Sequence, residues 1–220
     1  MSKVRKEFII SVLFLLIFCF YTFLVKTVDV DTIGPNSSEV GLATINEFFK
    51  DLIGKNETWY KITKYITVIP IFMVFIYAVL GFKQLIQRKS LFKVDKELFG
   101  LGIFYVVVIG LYVFFEVFIV NYRPVLMEGE LEASYPSSHT LLALCLCGSS
   151  ILLNRMKYNK YPISKIVNPI LWIVMVVLVV GRLLSGVHWF SDILGGIIIS
   201  TALIMFYYTY LKSLEKNRVK

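Results

Sequence analysis

The chain has 220 residues, of which 57% are hydrophobic and only 17% charged, and its mean hydropathy is +0.73. Apolar residues gathered in long blocks exclude an ordinary soluble domain and point to membrane-spanning helices. The formal net charge of +8 sits in the connections between those blocks, so it reads as membrane orientation and not as a nucleic-acid footprint.

Six blocks predict spans at roughly Phe8–Val25, Ile62–Phe82, Leu98–Val120, His139–Leu153, Ile166–Val180 and Ile193–Leu211. Together they make a single all-α, polytopic membrane domain over residues 1–220, a bundle of six transmembrane helices. The fourth and fifth blocks are short for a hydrocarbon layer of about 30 Å and must borrow residues from their flanks. The first block runs into Val-Lys-Thr-Val-Asp and not a small-residue cleavage site, which is the pattern of a retained anchor.

Lys3, Arg5 and Lys6 precede the first block, and Lys83, Arg88, Lys89, Lys93 and Lys96 follow the second. Arg155, Lys157, Lys160 and Lys165 follow the fourth, and Lys212, Lys216, Arg218 and Lys220 close the chain. Alternate connections share one side, and an excess of Lys and Arg marks that side as cytoplasmic, with both termini on it. The acidic first loop and the segments Asn121–Ser138 and Arg182–Asp192 then face outward, in an integral plasma membrane protein.

In the first outer loop Val40, Leu42, Ile45, Phe48, Phe49 and Leu52 recur at helical spacing among polar residues. This predicts an extra amphipathic helix, lying in the outer interface or capping the bundle. Trp59, Tyr60 and Tyr65 fall at the height of an aromatic belt. Pro70 lies in the second span, where a packed bundle tolerates it with or without a kink. Glu116, in the third span about two turns before Arg123, calls for a place inside the bundle and a partner. Cys19, Cys145 and Cys147 all fall in spans and read as small apolar fillers.

Two short polar segments carry the chemistry. In Tyr-Pro-Ser-Ser-His-Thr, Pro136 suits the first helical position, which leaves the Ser137, Ser138 and His139 amides unpaired and free for an anion. A plain helix cap uses the same residues. In Gly181–Asp192, a helix beginning near Ser185 puts His188 and Asp192 one turn apart on one face. The carboxylate can then hold one ring nitrogen and leave the other as a nucleophile, while Arg182 offers phosphate a planar fork of donors. A capped helix start bearing a surface charge fits that stretch equally well.

Taken together the segments say more than either alone. The chain has two histidines, and each stands beside an arginine in a loop assigned to the outer side. An oriented imidazole (His188 with Asp192), a second imidazole (His139) and two arginines (Arg123 and Arg182) meet the needs of phosphoryl transfer to a histidine. No Cys, His or carboxylate spacing suggests a metal, and no cofactor is expected.

These motifs resemble those of the type 2 phosphatidic acid phosphatase family, integral membrane lipid phosphatases related to vanadium haloperoxidases. The family patterns read Lys-x6-Arg-Pro, Pro-Ser-Gly-His and Ser-Arg-x5-His-x3-Asp. Here the counterparts are Glu116-x6-Arg123-Pro124, Pro136-Ser137-Ser138-His139 and Gly181-Arg182-x5-His188-x3-Asp192, spanning core motifs from 116 to 192. The resemblance implies a metal-independent lipid phosphate phosphatase. In it His188 forms a phosphohistidine, His139 protonates the departing alcohol, and Arg123, Ser137, Ser138 and Arg182 surround the phosphate. The implied partners are the bilayer and a lipid phosphate or diphosphate at the outer leaflet, of the undecaprenyl diphosphate, phosphatidylglycerophosphate or phosphatidic acid type.

Three positions depart from the pattern. Gly181 lacks a serine hydroxyl, Ser138 adds a side chain where the family has glycine, and Glu116 reverses the charge of a lysine. A carboxylate beside phosphate repels it unless it pairs with an arginine, takes a proton or turns away, so Glu116 is expected to orient an arginine or to meet a polar part of the head group. A phosphotransferase of the same fold and a catalytically degenerate lipid-binding protein are the alternatives.

Overall fold

The computed structural model describes residues 3–218, and Lys220 of the basic C-terminal segment lies outside them. Eight α-helices follow in order: α1 (Lys3–Thr27), α2 (Ala43–Ile53), α3 (Glu57–Ile66), α4 (Val68–Arg88), α5 (Lys96–Val117), α6 (Ser138–Met156), α7 (Ile163–Leu184) and α8 (Phe190–Arg218). Six stretches among the described residues are long and apolar enough to cross a membrane, α3 and α4 counting as one from Glu57 to Arg88. The protein is therefore an all-α integral membrane protein. The two short blocks do gain flanking residues: α6 runs three residues beyond Leu153, and α7 extends past both ends of its apolar run.

The α3–α4 joint falls at Thr67. Pro70 cannot donate to the carbonyl of Ile66 four residues back, so the helical ladder lapses at the place where the segment divides. The second span accordingly begins at Glu57 and carries Trp59 and Tyr60 into the bundle end.

Packing explains the burial pattern. α6 is flanked by α4, α5, α7 and α8, while α1 lies along α8. Leu141, Cys145 and Leu153 of α6 pack with Leu101 and Phe104 of α5 and Ile199 and Leu211 of α8. On the other side of α6, Ala143, Cys147 and Ile151 meet Leu171, Val174 and Leu178 of α7. Cys145 and Cys147 are buried fillers, as the sequence suggests, whereas Cys19 is free and exposed on the outside of α1. The outward faces of α1, α4, α5 and α7 display Phe20, Phe23, Phe72, Phe75, Val106 and Ile173, an apolar belt suited to lipid.

The two ends of the bundle differ in chemistry. Ser11 of α1 meets Thr209 of α8, and Tyr21 donates to the Ser191 carbonyl, so the two helices run antiparallel. At the end holding the start of α1 and the finish of α8, the Lys157 ammonium lies 2.7 Å from Asp95 and 3.0 Å from Glu97. Arg88 also pairs with Asp95 at 2.7 Å. Burial raises the Asp95 carboxyl, but hydrogen bonds from Lys157, Arg88 and Gln84 outweigh it and hold the group well below its usual range. This network fastens the ends of α4, α5 and α6 together. The opposite end collects α2, α3, the segment 118–137 and the α7–α8 turn.

The amphipathic helix of the first loop is α2. Asn46 is its fully buried side chain, donating to Gly41 and Ser191 and accepting from the Ser191 amide at 3.0 Å. Phe48 and Leu52 are 62% and 68% exposed. Phe49 also stacks on Phe190 at 4.2 Å, so the helix holds to the bundle end on one side and turns Phe48 and Leu52 outward on the other.

Candidate active site

The site forms where three irregular segments converge between helix ends. The first departs from expectation. α7 continues to Leu184 and α8 starts only at Phe190, so His188 lies in the intervening turn and not on a helix beginning near Ser185. Gly186 explains the break: its φ is +63°, and a Cβ there would run into the Gly54 carbonyl. The Asn56 amide donates to the Ser185 carbonyl at 3.0 Å and ties the same turn to the start of α3.

Asp192 occupies the first turn of α8, with its carboxylate reaching back to the Trp189 amide at 2.9 Å, one half of a capping box. It also accepts from the Ser134 hydroxyl in a short contact, and Asn121 Nδ2 lies 3.5 Å from its other oxygen. The direct bond expected from Asp192 to His188 is not made. Nδ1 is 3.9 Å from the carboxylate, beyond hydrogen-bonding reach, and 3.1 Å from Ser134 Oγ.

The second segment is the connection 118–137. α5 ends at Val117, so Arg123 is not on the helix that carries Glu116. The chain instead folds back through antiparallel bridges Tyr122–Ala133 and Met127–Glu130. This hairpin brings Arg123 Nη1 to 3.4 Å from His188 Nε2 and Arg123 Nε to 3.1 Å from the Glu132 carboxylate. The Trp189 indole donates to the Tyr122 carbonyl at 2.6 Å and locks the hairpin onto the α8 turn. Glu116, in the last turn of α5, bonds to Tyr112 and feels the charges of Arg123 and Glu132.

The third segment is the start of α6. Ser137 is the cap, so Pro136 lies one residue ahead of it and not at the first helical position: the Ser137 hydroxyl oxygen accepts from the Thr140 amide and hydroxyl at 3.4 and 3.1 Å. Its own amide is not free, because it donates to the Asp192 carbonyl at 3.0 Å. Ser137 is thus fully buried as a joint between α6 and α8. Ser138 and His139 stand in the first turn, Ser138 beside Glu116 and Ser134 in a narrow crevice. His139 Nδ1 is buried with no hydrogen-bond partner among the described residues.

Arg182 completes the arrangement. It is 1% exposed, yet its Nε and Nη1 have no partner among the described residues. The Tyr60 ring lies 5.2 Å from its guanidinium carbon. One turn beyond Tyr60, Lys64 acts electrostatically on the His139 ring, together with Arg182 and Arg123. α3 can lie this close because residue 181 is glycine: a Cβ there would come 2.6 Å from the Thr63 methyl and 3.0 Å from the Trp59 ring. The missing serine at 181 is the steric condition for bringing Tyr60 and Lys64 to the site.

Of the residues singled out in the sequence, Arg123, His139, Arg182, His188 and Asp192 are brought together, Ser137 serves as a joint, and Glu116 and Ser138 stand at the edge. Ser134, Tyr60, Lys64, Asn121 and Glu132 were not foreseen. Ser134 stands two residues before Pro136 and Asn121 lies within the Glu116-x6-Arg123 stretch, while Tyr60, Lys64 and Glu132 come from segments with no motif. His188 is buried, and burial first, then Arg123, Arg182 and His139, holds its imidazole well below the usual value of 6.5. A neutral imidazole next to unpaired guanidinium donors can attack an anionic electrophile that those donors hold.

Residues 115–216 match the protein family described as the PAP2 superfamily. Among solved structures the chain is similar to a transmembrane PAP2-type phosphatidylglycerolphosphate phosphatase from Bacillus subtilis. The TM-score is 0.56 at 19% sequence identity, covering 94% of this chain and 96% of that one. No curated protein matches the chain significantly.

Proposed function

We propose that the chain, whose residues 115–216 match the PAP2 superfamily, is a membrane lipid phosphatase working through a phosphohistidine on His188. The observation that carries this reading is the Arg182 guanidinium, buried with Nε and Nη1 unpaired among the described residues. A buried charge without a partner is costly, and an anion seated between Arg182 and Arg123 relieves the cost. Phosphate suits the planar forks of both arginines.

In the proposed sequence, the Nε2 lone pair of His188 attacks phosphorus while the bond from phosphorus to the lipid oxygen breaks. That oxygen leaves with the bonding pair and takes a proton from His139. Water, deprotonated by His139, then displaces the histidine and releases inorganic phosphate. Arg123 and Arg182 stabilise charge on the equatorial oxygens, with the first turn of α6 beside them. The chemistry is read as metal-free.

Placement supports a reading of substrate and orientation. Most of the lysines and arginines of the connections lie at the end opposite the site, which by the positive-inside rule favours a site facing outward in the plasma membrane. There a lipid head group of the diphosphate, phosphatidylglycerophosphate or phosphatidic acid type meets it at interface depth. The test is phosphate release from a panel of lipid mono- and diphosphates in detergent with EDTA present. EDTA-resistant release is expected, and no release from any lipid would overturn the reading.

Glu116 is proposed to restrain Arg123 through its charge, in addition to the ion pair that Arg123 makes with Glu132. Glu116→Lys places a like charge near Arg123. It should shift the kcat/KM ratio of diphosphate over monophosphate lipids upward by about tenfold, the equivalent of about 1.4 kcal/mol. An unchanged ratio and unchanged turnover would show that Glu116 has no part in the site.

A further inference from the structure

We propose that Ser134 is a positioning residue that joins His188 to Asp192, and the inference rests on His188 being the phosphoryl acceptor. Its side chain is the link between two groups that do not touch. Ser134 is buried, its Oγ lies 3.1 Å from His188 Nδ1, and it makes a short contact with Asp192 Oδ2. The direct distance from Nδ1 to the carboxylate is 3.9 Å.

The direction of each bond follows from donor counting. Asp192 is met by the Trp189 amide, Asn121 Nδ2 and the Ser134 hydroxyl, all of them donors, as an ionised carboxylate requires. Ser134 has a single hydroxyl hydrogen, and Asp192 takes it. Towards His188 the serine oxygen can then only accept, so Nδ1 must carry the ring proton. That leaves the Nε2 lone pair free on the side of Arg123 Nη1, 3.4 Å away. The hydroxyl thus sets the tautomer and gives the imidazole a path to a negative charge.

That path matters when phosphorus bonds to Nε2. The ring then gains positive charge in a buried place where two arginines already oppose it. The chain from Nδ1–H through Ser134 Oγ–H to the Asp192 carboxylate lets the carboxylate stabilise that charge without contact, because each bond in the chain polarises the next. A serine in this position also keeps Asp192 free to cap α8, so one carboxylate anchors the helix and steadies the imidazole.

The experiment is a double-mutant cycle of Ser134→Ala and Asp192→Asn in the full chain, read by kcat and KM separately. Ser134→Ala should lower kcat by about 10- to 100-fold, the loss of a hydrogen bond to a charged group, with KM within about twofold of the parent. In the double variant the losses should not multiply, because both substitutions cut the same path. Full kcat in Ser134→Ala, or losses that multiply, would overturn the proposal.

A readout independent of turnover separates this from failure of the phosphatase reading. With two histidines in the chain, ring-15N labelling and His139→Gln assign the His188 Nδ1–H proton. It should move upfield by a similar amount in Ser134→Ala and in Asp192→Asn. A parent protein that releases no phosphate would fail the functional reading alone. A proton that moves in Asp192→Asn but not in Ser134→Ala would fail the link itself.

Discussion

His188→Ala is expected to reduce lipid phosphate release by about 10⁴-fold or more, to the level that the remaining donors support. Among the described residues His139 does not replace the lost nucleophile: it has no acceptor on Nδ1 to fix its tautomer. A phosphoryl group trapped on the parent protein should be acid-labile and alkali-stable, as a phosphorus–nitrogen bond is, and absent from the variant. Retained binding of a phosphate analogue in His188→Ala would separate loss of the acceptor from loss of the fold. Equal turnover in parent and variant would remove His188 from the chemistry altogether.

The same substitution has a stability consequence whose sign can be worked out. His188 is held well below 6.5 in the folded protein, by burial first and then by the two arginines. Between that depressed value and 6.5 the unfolded chain binds more protons, so stability falls as pH drops below about 6.5. His188→Ala removes this contribution, and its thermal midpoint should decline less steeply over the same acid window. The catalytic counterpart is that the acid limb of kcat/KM owed to His188 lies below 6.5, since the neutral nucleophile persists under that pH. A limb centred at the ordinary histidine value would show a site wetter than the one described.

How much of this could be read from residues alone differs between the scaffold and the site. The spans were legible because lipid demands a long apolar run, which four of the six blocks supply by themselves and the fourth and fifth complete with residues from their flanks. The site is legible only where a motif is local. His139 and Arg182 announced themselves, but the join between His188 and Asp192 depends on a third residue from another segment, and spacing along one helix could not reveal Ser134. The four-residue spacing suggested a shared helical face, whereas Gly186 and the packing of α3 produce a turn there instead. Gly181 is the clearest case. In the sequence it reads as a lost hydroxyl. In the fold it is the space that α3 needs, and that helix returns a tyrosine face over Arg182 and a lysine near His139. No local pattern could carry that exchange, because its two halves lie more than a hundred residues apart.

Arg182→Met should lower kcat/KM by about 10²- to 10³-fold while raising the thermal midpoint of the ligand-free protein. The activity loss follows from removing one preorganised set of donors around the phosphate. The stability gain follows from the same observation read the other way. A guanidinium that is 1% exposed, lacks partners for Nε and Nη1 among the described residues, and shares its surroundings with Arg123 is a net cost to the empty fold. Methionine keeps much of the length and apolar stem, so it leaves little cavity and can still pack against Tyr60. Phosphate or vanadate should stabilise the parent by mass action and leave Arg182→Met almost unmoved. Arg182→Lys should recover only part of the activity, because an ammonium offers a point charge where the site presents a planar fork. The two readouts must move in opposite directions. A variant that is both less active and less stable would mean that Arg182 is a structural element of the bundle, and the anion site would have to be sought elsewhere.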